Sequence, residues 1–228
     1  MGSMRLASMR LASMGLGLTW LALLVASPGL AAGKDGALEV HIADARGAPV
    51  ADAIVSVRLR GGGTVPAPAP ARHTIDQKNL AFVPSMAVVH PGDEVVFRNS
   101  DATRHHVYSF SPAAKFEFVL APRDSSPPLR LERPGVVAVG CNIHDSMIAW
   151  LYVTDAPWTA RTGADGRARF DALPPGDYEV RAGQPRLRRG RGEPTRNATV
   201  VTGGSASVSL ALTLLPPPPR TGHDHMQY

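Results

Sequence analysis

Short runs of alternating apolar and polar residues recur along most of this chain. Gly, Pro, Asn and Asp, which favour turns, separate these runs. The period of two is typical of strands that bury one face. The runs include ALEVHIAD (37–44), AIVSVRLR (53–60), MAVVHPGDEVVFRNSD (86–101), HHVYSF (105–110), GVVAVG (135–140), IAWLYVTD (148–155), RARFDALPPGDYEVRA (167–182) and ASVSLALTL (206–214). Because no amphipathic helical stretch competes, the pattern predicts an all-β protein built from one or more sandwiches.

Residues 1–31 have the pattern of a secretory signal peptide. Arg5 and Arg10 precede the apolar run LGLTWLALLVA, and the small-residue stretch SPGLAAG follows it. A membrane anchor is the alternative, but the run is shorter than the roughly 20 residues that span a bilayer comfortably. We therefore expect cleavage near Ala31 or Ala32, export to the periplasm in a Gram-negative host, and no membrane span after signal removal.

The charge of the chain is mildly basic. The 228 residues carry a formal net charge of +5, and residues 1–31 contribute two arginines and no acidic residue. Arginines cluster in VRAGQPRLRRGRGEPTR (180–196), which predicts either a solvated loop or a patch for an acidic partner. The chain has no nucleic-acid-binding motif, so no nucleic-acid partner is expected.

The single cysteine, Cys141, lies in the stretch CNIHDSM. An unpaired cysteine in an exported protein is either intermolecular or reactive, unless it is a buried, inert thiol. Burial is the less expected alternative, because Cys141 stands between the strand-like GVVAVG and a polar loop. His144 and Met147 follow at intervals of three. Zinc accepts Cys and His but not Met, whereas copper accepts all three and forms His2Cys sites with a weak axial Met.

A copper site of this type needs a second histidine. The segment NSDATRHHVYSF (99–110) offers two adjacent candidates, His105 and His106, where a turn leads into a strand. Strand alternation places these two side chains on opposite faces, so both cannot point at one metal without distortion.

The ligand segments resemble those of the cupredoxins. Residues 74–154 are similar to plastocyanin, pseudoazurin and amicyanin through PGDEVVFRNSD, the following H-x-V, and the Cys-x-x-His-x-x-Met spacing. More narrowly, IDQKNLAFVPSMAVVHPGDEVVFRNSD and GVVAVGCNIHDSMIAWLYVTDAPW resemble exported plastocyanin-like proteins labelled methylamine utilisation proteins. The resemblance implies a Greek-key sandwich with one type 1 copper bound by His105, Cys141, His144 and Met147. Familiar cupredoxins have an Asn where this chain has His106, and that Asn bonds to the cysteine loop. His106 is expected either to replace this bond or to lie exposed.

The segments on either side resemble the two halves of a carboxypeptidase regulatory-like β-sandwich. VHIADARGAPVADAIVSVRL and TARTGADGRARFDALPPGDYEVRA carry its D-x-x-G and L-P-x-G-x-Y turn patterns, although generic turns are the alternative. The predicted organisation is a discontinuous sandwich of residues 37–60 and 158–213, with a cupredoxin of residues 73–155 inserted after a Gly/Pro linker at 61–72. Residues 214–228 are expected to form a disordered Pro/His tail.

The function expected from this resemblance is one-electron transfer between redox proteins, with a dehydrogenase or a c-type cytochrome as partner. The alternative is copper storage or delivery, for which the tail residues His223, His225 and Met226 offer copper-capturing donors, although a tail of this kind is more often functionless. A purely adhesive module is a third possibility. We expect no enzymatic activity, because an oxidase needs further histidine pairs and a thiol hydrolase needs a third, orienting group.

Four other residues complete these expectations. Asp145 either bonds an imidazole at the site or is a solvated acid. His41, His73 and His90 have no companion ligands nearby in sequence and are expected to be structural or surface residues.

Overall fold

The computed structural model describes residues 35–61, 65, 68–187 and 192–216. Within these ranges the chain forms sixteen strands and no helix, which confirms the all-β prediction. The predicted signal peptide (1–31) and residues 217–228, with their two histidines, lie outside the described residues, as does part of the predicted linker. Among the residues described, no helix is long and apolar enough to cross a membrane.

The strands follow the alternating runs of the sequence. In chain order they are β1 (Gly36–Asp44), β2 (Ile54–Leu59), β3 (Arg72–Lys78), β4 (Ala81–Val83), β5 (Met86–Val89), β6 (Glu94–Asn99), β7 (His105–Ser111), β8 (Ala114–Leu120), β9 (Leu129–Arg130), β10 (Gly135–Cys141), β11 (Ile148–Val153), β12 (Trp158–Arg161), β13 (Arg167–Leu173), β14 (Gly176–Gly183), β15 (Thr195–Val200) and β16 (Ser205–Leu212).

Strands from both ends of the described chain share two sheets, which we call the flanking sandwich. Its sheets have the orders β13-β1-β16 and β12-β2-β14-β15. In β1, Leu38, Val40 and Ile42 alternate inward and are buried, as a period of two requires. Trp158 packs edge-on against the buried ring of Tyr178 at a centroid distance of 5.6 Å. This core therefore closes on apolar and aromatic side chains from both ends of the chain.

Strands β3–β11 form the central sandwich. Its sheets have the orders β4-β3-β6-β9 and β5-β11-β10-β7-β8. The pairs β3–β6 and β5–β11 are parallel, and the remaining neighbours are antiparallel. Phe97 lies at the centre of the core and packs on Phe82, Phe116 and Phe118. The same core includes Cys141 and Met147, so these two predicted ligands belong to the packed interior.

The two sandwiches contact each other directly. Tyr152 of β11 packs against Gly183 of β14 so closely that a side chain at Gly183 would collide with the tyrosine hydroxyl. At the surface, Arg58 of β2 forms an ion pair with Asp155, which follows β11. The family assignment of the flanking sandwich and the predicted domain boundaries stay predictions.

Candidate metal centre

The candidate centre is built where β7 begins and β10 ends. These strands are antiparallel neighbours, with Cys141 opposite Val107 and Gly140 opposite Tyr108. His105 is the first residue of β7, so the pairing brings it beside the cysteine although 36 positions separate them. His144 comes from the loop between β10 and β11. Two strand ends and one short loop therefore supply the donor atoms.

His105 and His106 point to opposite faces of β7, as strand alternation predicts. The His105 side chain is fully buried, whereas His106 is partly exposed. His106 Nε2 lies 2.6 Å from Glu117 Oε1 on the neighbouring strand β8. Only His105 therefore faces the interior beside the cysteine.

Cys141 is buried, with 3% of its surface exposed. The expectation of lower burial is wrong for two reasons. Pairing with β7 continues to the last residue of β10, and the following loop returns to the cysteine, whose N–H donates to the Met147 carbonyl at 3.3 Å. Met147 is itself buried and belongs to the same core cluster.

The distances among the three donors fit a metal ion. Cys141 Sγ lies 3.6 Å from His105 Nδ1 and 3.9 Å from His144 Nδ1. Metal bonds of roughly 2.1 Å to nitrogen and 2.3 Å to sulfur, at angles of about 110–120°, put the two ligand atoms about 3.6–3.8 Å apart. The donor atoms of these three residues lie within 4.8 Å of one another. A soft thiolate with two imidazoles is a donor set for copper or zinc.

The loop that carries His144 is held by backbone hydrogen bonds. The Met147 N–H donates to the His144 carbonyl at 3.0 Å, and the Asn142 N–H donates to the His106 carbonyl at 3.0 Å. The His144 ring is partly exposed, with its centroid 5.0 Å from that of His105. The centre therefore has one buried and one solvent-facing imidazole.

His106 contacts the cysteine loop, which was one of the two alternatives predicted for it. In addition to the backbone bond with Asn142, its Nδ1 lies 3.4 Å from the side-chain nitrogen of Asn142. Glu117, on the other side of the ring, engages Nε2. An Nε2–H tautomer satisfies both contacts, because Nδ1 then accepts from the amide and Nε2 donates to the carboxylate.

Asp101 is a further residue at the centre, and the ligand spacing did not reveal it. Its Oδ2 lies 2.9 Å from His105 Nε2, on the side of the ring opposite the cysteine. Backbone N–H groups of Asn79 and Leu80 donate to the same carboxylate at 2.6 and 3.0 Å. Burial alone would raise the pKa of Asp101, but the hydrogen bonds from these amides and from His105 outweigh burial, so the pKa is lowered. The signal in the sequence that could have revealed this contact is an acidic residue four positions before His105.

The surface around His144 combines apolar and acidic residues. Ile143 and Ile148, at either side of the loop, are each about half exposed. Asp145 is exposed as well. Ile143 and Asp145 are the sequence neighbours of the partly exposed His144.

The other predicted histidines lie outside the centre. His73 Nε2 contacts Asp93 at 2.8 Å, and His90 Nδ1 contacts the Thr154 carbonyl at 2.8 Å. His41 pairs with Glu39 on the flanking sandwich at 2.9 Å. Each therefore has a local polar partner.

No protein-family model and no curated protein matches this chain. Among solved structures, a variant of amicyanin in its Cu(I) form is similar at 16% identity, over 36% of this chain and 82% of that chain, with a TM-score of 0.33. A purple cupredoxin from Nitrosopumilus maritimus is similar at 19% identity, over 36% and 99%, with a TM-score of 0.32. A copper-containing nitrite reductase from Thermus scotoductus is similar at 21% identity, over 42% and 25%, with a TM-score of 0.33.

Proposed function

We propose that this chain is an exported type 1 copper protein that carries single electrons between periplasmic redox proteins. The observation that supports this most directly is the cluster of the buried His105 and Cys141 with the partly exposed His144, together with the buried Met147 of the same core. Bound copper would supply the one-electron couple. The residues of the chain supply the donors, exclude water and keep the geometry fixed.

The donor set favours copper over zinc. A thiolate and two imidazoles suit either metal, but a buried thioether beside them is a donor that zinc does not use. Met147 adjoins Cys141 through a backbone hydrogen bond and belongs to the same core cluster. Met147 is therefore proposed as the weak axial ligand of one type 1 copper.

The burial of the centre favours an electron carrier over a copper donor. A protein that delivers copper needs an open site whose ligands can be exchanged with an acceptor. Here His105 and Cys141 are buried at strand ends, and the His144 loop is pinned by its own backbone bonds. A site held this firmly changes little when its metal changes oxidation state, which keeps the barrier to electron exchange low.

The surface around His144 is the proposed point of electron exchange. His144 is the partly exposed ligand, and the exposed Ile143 and Ile148 lie at either side of it in the loop sequence. A small apolar surface of this kind supports brief docking with a redox protein such as a dehydrogenase or a c-type cytochrome. No catalysis by the chain itself is proposed, since in the described residues His105, Cys141 and His144 form the single metal-type cluster.

The first test is the colour of the metal-loaded protein. Adding Cu(II) to the purified mature chain should give an intense blue thiolate band, and Cys141→Ser should abolish it. Met147→Leu should keep the band and shift the reduction potential, because the axial ligand tunes it. His90→Gln is the matched control, since it removes a partly buried histidine outside the centre. A Cys141→Ser protein that stays blue would refute the site.

A second experiment separates electron transfer from copper handling. Stopped-flow spectroscopy should show that redox proteins reduce and reoxidise the copper, while a chelator removes it only slowly. Rapid transfer of copper to a metal-free acceptor, with slow redox exchange, would favour storage or delivery instead.

A further inference from the structure

The geometry points to Asp101 as the positioning residue that fixes His105 with Nδ1 facing the metal. This inference rests on the proposed function for its consequences at copper. Its structural part, the orientation and tautomer of one imidazole, applies to the metal-free protein as well.

The contact between Asp101 and His105 determines which ring nitrogen is free to bind metal. Asp101 Oδ2 lies 2.9 Å from Nε2, while Nδ1 on the other side of the ring is 3.6 Å from Cys141 Sγ. An ionised carboxylate can only accept hydrogen bonds, so Nε2 must carry the proton. Nδ1 is then left with the lone pair that a metal requires.

The carboxylate is itself held by a distant turn. Asn79 and Leu80 form the two-residue connection between β3 and β4, and both have positive φ angles of 55°. Successive residues in this conformation direct their N–H groups to one side, which creates a pocket for an anion. One amide donates to each oxygen of Asp101.

The turn departs from the sequence that its conformation favours. A two-residue connection with two positive φ angles normally has Gly at the second position, where this chain has Leu80. A branched side chain in the left-handed region is strained, and such strain persists only where the surroundings impose it. The hydrogen bond from the Leu80 N–H to Asp101 is one interaction that stabilises this conformation.

Asn99 fixes the other end of the same loop. Its side-chain oxygen accepts from the Asp101 N–H at 3.0 Å, and its amide nitrogen donates to the carbonyls of Thr103, Leu120 and Ala121. The side chain of Asp101 is therefore bonded to β3–β4, while its backbone is bonded through the buried Asn99 to β8. Two separate parts of the central sandwich thus hold the carboxylate at the imidazole.

A carboxylate in this position acts on the metal through His105. It fixes the ring orientation, increases the basicity of the ligating nitrogen and adds negative charge near the metal. Each effect strengthens metal binding, and the added negative charge favours the oxidised metal. Removal of Asp101 should therefore weaken metal affinity by about 10- to 100-fold and raise the reduction potential.

The test uses nitrogen-15 NMR of the metal-free protein at a pH where imidazoles are neutral. In the wild type, His105 should show a protonated Nε2 and an unprotonated Nδ1. In Asp101→Ala, the ring should become a mixture of tautomers. Asp76→Asn is the matched control, since Asp76 is a carboxylate on β3 that binds Arg98 and Ser100 but not the ligand. A wild-type tautomer in Asp101→Ala would overturn the inference.

A double variant separates positioning from stability. Leu80→Gly relieves the positive-φ strain, so Asp101→Ala with Leu80→Gly should recover stability while its tautomer and affinity stay altered. Zn(II) affinity is measured in addition to Cu(II) affinity. If the copper-loaded protein is not blue but Asp101→Ala still changes the His105 tautomer, only the proposed function is contradicted. Full recovery of Zn(II) affinity in the double variant would show that Asp101 is only structural and would overturn the inference.

Discussion

The two sandwiches share the same strand pattern, but their cores contain different kinds of side chain. In the flanking sandwich the core closes on aliphatic and aromatic residues, and the hydroxyl of the buried Tyr178 bonds to the Pro174 carbonyl at its edge. In the central sandwich the core continues into His105, Cys141 and Met147. The candidate centre therefore needs no special architecture. Its soft donor atoms lie at one end of an ordinary core, where the ends of two strands meet a short loop.

Metal binding should produce the largest difference in stability between the two sandwiches. With copper at about a thousand times its Kd, the free energy of unfolding of the central sandwich should rise by about 4 kcal/mol, because the metal binds only the folded state. Hydrogen exchange should slow more in β7 and β10 than in β1 and β16. Cys141→Ser should remove the difference. Slower exchange in β7 and β10 that persists in that variant on adding copper would contradict the prediction.

Truncation of a side chain in the flanking core should change the free energy of unfolding but not the properties of the metal centre. Leu38 is fully buried in β1, so Leu38→Ala should lower the free energy of unfolding by about 3 kcal/mol through lost burial and a cavity. The reduction potential of the copper should stay unchanged. Urea unfolding and voltammetry measure the two quantities, with Val201→Ala at an exposed site as the control. A shifted potential would show that the flanking core influences the centre.

The acid stability of the central sandwich should depend on Asp93. This buried carboxylate accepts hydrogen bonds from the Ala71 and His90 amides and from His73 Nε2. Burial would raise the pKa of Asp93, but these hydrogen bonds outweigh it and lower the pKa. Because the folded-state pKa is depressed, the stabilisation is present above the unfolded-state pKa near 4 and is lost as the pH falls through the folded-state value.

Replacement of this carboxylate tests that dependence. Asp93→Asn should lower the free energy of unfolding at neutral pH by about 2 kcal/mol and should flatten its decline below pH 4. Urea unfolding as a function of pH measures both effects, and Asp165→Asn at an exposed turn serves as the control. If the free energy of unfolding of Asp93→Asn declines below pH 4 as steeply as that of the wild type, Asp93 does not determine the acid stability.

The smallest effect is expected at the surface ion pair that joins the sandwiches. Arg58 and Asp155 are each about half exposed, so solvent screens their attraction. A double-mutant cycle with Arg58→Gln and Asp155→Asn should give a coupling energy below about 1 kcal/mol. A larger value would mean that this pair orients the sandwiches.

Much of the fold and part of the centre follow from the sequence. Alternation predicted the all-β class and the opposite directions of His105 and His106. The burial of Cys141 was not predicted, because it depends on a loop that returns to its own first residue. Asp101 was also not predicted, since its function depends on the β3–β4 turn, 21 and 22 positions earlier in the chain. Local patterns predict which face a side chain occupies, whereas distant hydrogen bonds determine what it contacts there.

The pairing of β2 with β12 has a consequence for how this molecule could arise and be rebuilt. These strands are antiparallel neighbours, with Trp158 opposite Val57, yet residues 60–157 separate them. Neighbouring antiparallel strands can be joined by a turn of two residues. The central sandwich therefore occupies the position of an ordinary hairpin loop. A turn of this kind in place of residues 60–157 should preserve the pairing of the seven flanking strands, and the same junction should accept other inserted domains.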